Sequence, residues 1–147
     1  MTSARFPRIA LSLDGDPEML SGRKILIVEA EFLIALDIQR MLETLLSGDM
    51  LFARSPKEAR AHEQLWPSID LAIVELGLDP QESLALLHGL RRAGTALILS
   101  TGDSKIRQGH PEFPGAPVIV KPMSEEDFHR AVTVALAGPL RTNGYVS

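Results

Sequence analysis

The sequence predicts one α/β domain: a doubly wound sheet of five parallel strands with helices on both faces. Three observations predict it. First, short apolar runs recur along the chain: Lys24-Ile-Leu-Ile-Val28, Met50-Leu-Phe-Ala53, Leu71-Ala-Ile-Val74, Ala96-Leu-Ile-Leu99 and Val118-Ile-Val120. Runs that are apolar at nearly every residue, not at alternate ones, suit strands buried on both faces. Second, stretches with helical spacing or helix-start chemistry separate most of these runs, and such alternation argues for crossover helices on a parallel sheet. Third, polar side chains follow the runs directly, at the rim where open parallel sheets gather their function.

Each element has its own signal. Between Phe32 and Leu46 apolar residues fall at helical spacing (Phe32, Ala35, Leu36, Leu42, Leu45, Leu46), with Gln39 as the exception. Ser55-Pro-Lys-Glu58 and Asp79-Pro-Gln-Glu82 each combine a capping oxygen, a proline at the first helical position and a glutamate at the third. Ser124-Glu-Glu-Asp127 repeats the pattern with aspartate at the third position. Each box satisfies N–H groups that a first helical turn leaves unpaired. The spacing predicts helices over 56–65, 80–92 and 125–137, with Trp66-Pro67 closing the first of these. The segment Asp103 to Pro117 breaks the alternation with Pro111, Pro114, Pro117, Gly109 and Gly115, leaving room for one or two helical turns. A fourth helix is therefore expected to be short or missing. Residues 1–22 read as an N-terminal extension, in which Arg8-Ile-Ala-Leu-Ser-Leu would add an edge strand or pack on a partner. Residues 23–138 form the domain, and 139–147 a C-terminal tail.

Composition narrows the function. The chain has 147 residues, 45% hydrophobic and 23% charged, enough apolar material for one real core. There is no cysteine, which excludes disulfides, thiolate metal sites and thiol catalysis. The net charge is −4 and the basic residues are scattered, so no nucleic acid is expected as a partner. No apolar run reaches the length of a membrane span, and Asp14, Asp16 and Glu18 break the N-terminal stretch that a signal peptide would need. A cytoplasmic protein without membrane contact is expected. Ser100, Thr101 and Asp103 lack the glycine-flanked elbow and partnered histidine of a hydrolase nucleophile.

The residues after the strands carry a more specific pattern. Glu29, Ala30 and Glu31 follow the first strand, and Glu75 the third. Ser100, Thr101, Gly102 and Asp103 follow the fourth, and Lys121-Pro122 the fifth. The stretch Ile25-Leu-Ile-Val-Glu-Ala-Glu31 resembles the opening of response-regulator receiver domains, which commonly reads ILIVEDE. Asp70-Leu-Ala-Ile-Val-Glu75 is similar to their third strand, commonly DLAILD. Thr101 and Lys121-Pro122 stand where such domains carry Thr or Ser and Lys-Pro. Leu99-Ser-Thr-Gly-Asp103 is partly similar to the FATGY-type alphaproteobacterial subgroup, keeping only Thr-Gly. The resemblance runs from about Lys24 to Ala137. It implies a CheY-like, flavodoxin-like sheet with strand order 2-1-3-4-5.

The resemblance also implies a chemistry. In receivers an aspartate takes a phosphoryl group from a phosphohistidine, two acidic residues help hold Mg²⁺, Thr meets a phosphoryl oxygen and Lys pairs with the phosphate. Here Glu75 holds the phosphoacceptor position, one methylene longer, roughly 1.5 Å further out. Displacements near ~1 Å cost about 100-fold where in-line positioning matters. Thr101 and Lys121 hold the phosphate-contact positions. Glu29 and Glu75 remain as metal candidates, but Ala30 replaces the second acidic ligand, so at most a weak Mg²⁺ site and no resident cofactor is expected. Val118 stands where many receivers carry an aromatic switch residue. The expectation is a degenerate, stand-alone pseudo-receiver that is not an enzyme, working in phosphorelay signalling through protein contacts with a histidine kinase, another signalling protein or a second copy in a homodimer. Two alternatives stay open: an active receiver phosphorylated on Glu75, and a domain that binds a small ligand or a divalent ion on the same rim.

Overall fold

Strands apolar on both sides need cover on both sides, and the computed structural model, which describes residues 2–5, 22–45, 48–77 and 79–137, has it. The described elements are β1 (Thr2–Arg5), β2 (Arg23–Val28), α1 (Phe32–Glu43), β3 (Gly48–Ala53), α2 (Pro56–Arg60), β4 (Leu71–Glu75), α3 (Pro80–Arg92), β5 (Ala96–Thr101), β6 (Val118–Val120) and α4 (Glu125–Leu136). The sheet order is β1-β3-β2-β4-β5-β6. From β3 to β6 the strands are parallel, in the expected 2-1-3-4-5 order.

Alternation along the strands sorts the core into two faces. Ile25, Ile27, Leu71, Ile73, Ile98 and Ile119 point to the face covered by Ile38, Met41 and Leu42 of α1 and by Phe128, Ala131 and Val132 of α4. Leu26, Val28, Ala72, Val74, Leu97 and Leu99 point to the other face, under α2, α3, Trp66 and Phe113. The three capping oxygens act as the sequence predicts: Ser55, Asp79 and Ser124 accept from the N–H groups of Glu58, Glu82 and Asp127 at 3.0, 3.3 and 3.0 Å. Glu58 reaches back in turn to the Arg54 N–H at 2.7 Å, which holds its carboxyl below the ordinary range.

Four expectations are corrected. The sheet gains a sixth, antiparallel edge strand, because Thr2–Arg5 pairs with Phe52–Asp49 of β3, so the first residues of the extension join the domain. The stretch read as the edge-strand candidate, 8–13, lies outside the described residues, as does the 139–147 tail. Second, the helix expected over 56–65 ends at Arg60, and a 3₁₀ helix follows over Glu63–Ser68. Trp66 dictates the break. Its indole N–H donates to the Ala59 carbonyl at 3.2 Å, and its ring lies on Gly89 of α3, where a Cβ would collide with it. Third, α1 ends at Glu43, not near Leu46. Fourth, it buries Ala35, Ile38, Met41 and Leu42, so the buried stripe keeps Ala35 and Leu42 of the apolar spacing but shifts toward Ile38 and Met41. Phe32 and Leu36, which fall in the apolar spacing, are 71% and 42% exposed.

The segment before β6 holds only one 3₁₀ turn, Ser104–Ile106, as its prolines and glycines predict. Phe113, 2% exposed, anchors the rest of that segment in the second face. Arg91 of α3 stacks over its ring at 4.8 Å, and His88 bonds Glu112 at 2.9 Å. No described helix is long and apolar enough to cross a membrane.

Candidate functional site

The parallel register brings the strand ends together. Val28 pairs with Val74, so the next residues, Glu29 and Glu75, leave neighbouring strands side by side. Alternation sends both toward the α1/α4 face, with Ser100 of β5 and Lys121 just past β6. Thr101 and Val118 fall on the opposite parity, with Leu99 and the second core face.

Three of the expected site residues meet. The Lys121 ammonium donates to Glu75 Oε2 at 2.9 Å and stands 3.1 Å from Glu29 Oε1 and 3.4 Å from Glu29 Oε2. Two backbone donors complete the cluster. The Ala30 N–H donates to Glu75 Oε1 at 3.0 Å, and the Glu31 N–H to Glu29 Oε2 at 3.1 Å. Glu29 is buried, only 3% exposed. Its Oε1 has no hydrogen bond of good geometry and rests on the charge of Lys121. The Lys121–Pro122 bond is cis.

The electrostatics follow from this packing. Strands lie ~4.8 Å apart, so two carboxylates at that spacing repel by about 3 kcal/mol at an effective dielectric of ~20. Each carboxylate–ammonium attraction at ~3 Å is worth about 5 kcal/mol on the same scale, before desolvation takes much of it back. Burial pushes the Glu29 carboxyl above the ordinary range, and the Glu31 N–H and Lys121 only partly oppose it. Burial also works against charged Glu75, but the Ala30 N–H and Lys121 outweigh it and hold that carboxyl below the ordinary range. Burial alone would lower Lys121, and the two carboxylates reverse this and raise it.

The remaining positions do other work. Thr101 is buried, and its Oγ1 accepts the Asp103 N–H at 3.0 Å instead of facing the carboxylates. Its carbonyl accepts the Lys121 N–H at 2.7 Å, which helps fix the lysine backbone. Val118 is half-buried against the second core face and is apolar throughout, so it has no polar group to couple to Thr101. Ala30, read from sequence as a lost metal ligand, contributes its backbone N–H instead. No side-chain signal points to such a donor, and only the turn after β2 reveals it.

Mg²⁺ asks for near-octahedral oxygen ligation. The side chains at this rim offer two carboxylates, both bonded to Lys121, and Ala30 adds none. Among the described residues no group of three His, Asp or Glu side chains is placed to hold a metal. The donor set does not fit the ion that the resemblance implies.

No protein-family profile matches the chain, and no curated protein matches it. Solved structures do. The signal receiver domain of an HD domain-containing protein from Pseudomonas fluorescens is 27% identical, with a TM-score of 0.63, over 79% of this chain and 95% of that one. A response regulator receiver protein from Sinorhizobium medicae superposes with a TM-score of 0.67 at 16% identity, over 82% and 98% of the two chains. The response regulator PhyR from Brucella abortus gives 0.62 at 24%, over 79% of this chain and 48% of its own. The neighbours share the parallel sheet order and the helices on both faces, and with them the chain has the fold of the CheY-like response-regulator receiver domains.

Proposed function

We propose that the chain is an atypical receiver that serves two-component signalling by binding a partner protein, without phosphoryl transfer to its acceptor position and without enzymatic turnover. One observation carries the reading: the carboxylate at the acceptor position is already engaged at both oxygens, by Lys121 and by the Ala30 N–H. Phosphoryl transfer needs a free oxygen in line with the leaving group and cations on the equatorial oxygens. Glu75 has its oxygens committed, Ala30 supplies no carboxylate, and Thr101 turns to Asp103. The receiver fold supports the signalling context. A histidine kinase, another signalling protein or a second copy of the chain is the class of partner that fits.

The test is intact-mass spectrometry after incubation with acetyl phosphate and Mg²⁺. No phosphoryl adduct is expected on the native chain. A stoichiometric adduct that disappears in Glu75→Gln would overturn the reading and leave an active glutamyl receiver in its place.

A further inference from the structure

We propose that the Lys121 ammonium is the resident cation of this site, tethered to the chain, and that it keeps divalent ions away from Glu29 and Glu75. The inference rests on the reading of the acceptor position given above and extends it to the ions that the site accepts.

Glu29 sets the demand for charge at this site. Its side chain is 1% exposed, and its Oε1 has no hydrogen bond. A buried carboxylate oxygen in that condition stays ionised only with a cation beside it, and Lys121 stands 3.1 Å away. Glu75 stands on the adjacent strand at the same level and doubles the demand. The cation that answers it comes from two strands away from β4, on the same face of the sheet. Lys121 follows β6, and β5 lies between it and β4. On this face, level with Glu75, β5 presents Ser100, a small buried side chain with no hydrogen-bond partner. A short residue there leaves the lysine stem a path across β5 to both carboxylates. The ammonium then stands within 3.4 Å of three carboxylate oxygens, while the fourth holds the Ala30 N–H.

A divalent ion has no comparable place. It would need the oxygens that Lys121 occupies, at shorter distances, with a positive charge already beside it. Among the described residues no third carboxylate adds to the set. Two carboxylates and one ammonium leave the site at −1, and the chain closes it without an ion from solution. Removing the ammonium uncovers a pair of adjacent carboxylates that must either share a proton or take a cation from solution, and Mn²⁺ competes for that place.

The experiment uses the full chain and Mn²⁺ as probe, read by thermal unfolding in EDTA and in millimolar MnCl₂ at matched ionic strength, and by electron paramagnetic resonance of free Mn²⁺. The native chain should unfold at the same temperature in both and leave Mn²⁺ free. Lys121→Met should lose about 10 °C in EDTA. It should regain much of that with Mn²⁺ and bind the ion at least about 10-fold more tightly than the native chain. Glu29→Gln/Lys121→Met removes one carboxylate with the ammonium, keeps the site at −1, and should ignore Mn²⁺. If Lys121→Met does not fold in EDTA, folding on Mn²⁺ addition, seen by circular dichroism, supports the proposal. Failure to fold in Mn²⁺ while the double variant folds overturns it. Equal Mn²⁺ binding by the native chain and Lys121→Met also overturns it, as does a Lys121→Met variant that neither loses stability nor gains affinity. Acetyl-phosphate labelling of the native chain sinks the functional reading, whereas Mn²⁺ binding by the native chain without labelling sinks only this one.

Discussion

The two faces of the sheet end differently. On the α1/α4 face the strands finish in polar residues, Glu29, Glu75, Ser100 and Lys121, packed over an apolar core that includes Phe128. On the α2/α3 face the comparable level holds Thr101 turned into its own loop, and Trp66 and Phe113, both from outside the strands and α-helices, pack into the aliphatic side chains below. The first face stores charge against the cost of burial. The second spends its contacts on holding two irregular segments, the 3₁₀ helix after α2 and the loop before β6. Trp66 and Phe113 are therefore expected to hold the irregular segments of their face, while the chemistry gathers on the charged one.

The largest expected effect breaks the face of Trp66 and Phe113. Phe113 is buried in a loop with no helix of its own, between His88 and Arg91 of α3. Phe113→Ala should cost about 3–5 kcal/mol in urea unfolding, the range for truncating a buried aromatic. Amide exchange should quicken across 107–116 beyond what global unfolding explains, because the side chain is what holds that segment down. A cost under about 1 kcal/mol would show that the loop is held by its rim contacts, His88–Glu112 and Arg91, and not by the ring.

That face also shows what was legible in the sequence. The strands and the capped helix starts are local signals, written in β-branched runs and in Ser55, Asp79 and Ser124, and the structure keeps them. The short turn before β6 was legible from its prolines. Thr2–Arg5 was not, because an edge strand of four residues pairs through backbone groups that every residue has. The break after Arg60 was not, because it depends on Trp66 meeting Gly89, 23 residues away in sequence. At the site, resemblance named Glu29, Glu75, Thr101 and Lys121, but spacing does not say which strand parity each occupies once the register is set. Register separates Thr101 from the other three. The Ala30 and Glu31 donors were illegible because main-chain N–H groups leave no mark in a sequence.

A smaller effect sharpens the charged face. Glu75→Gln keeps the shape, loses one attraction to Lys121 and relieves the repulsion from Glu29, so at neutral pH it should cost only about 1 kcal/mol. Its pH dependence is more telling. The Glu75 carboxyl is held below the ordinary range in the folded chain, so its contribution is fully present above the unfolded value and fades as pH falls through the folded one. The native chain should thus be more stable than Glu75→Gln above the ordinary carboxylate range, and the two should converge in acid. Glu29 acts with opposite sign, since a carboxyl raised by burial favours the folded state more as pH falls. Urea midpoints of both chains over pH measure the difference. A gap that widens in acid would mean that Glu75 is not the ionised partner of Lys121.

The smallest expected effect concerns α1, the helix that covers the charged face. Its sequence is apolar at Phe32, Leu33, Ile34, Ala35, Leu36, Ile38, Met41 and Leu42, so more than one stripe satisfies helical spacing and periodicity alone cannot choose the buried one. Docking against Ile27, Met50 and α4 chooses Ile38 and Met41 and leaves Phe32 outside. Phe32→Ala should therefore change stability by less than about 0.5 kcal/mol, as exposed positions do, whereas Ile38→Ala should cost about 2–5 kcal/mol. The pair reads the helix rotation directly in equilibrium unfolding. If Phe32→Ala costs as much as Ile38→Ala, the face read from periodicity is the buried one. The turn after β2 would then be rotated as well, and with it the Ala30 and Glu31 donors that hold the two carboxylates in place.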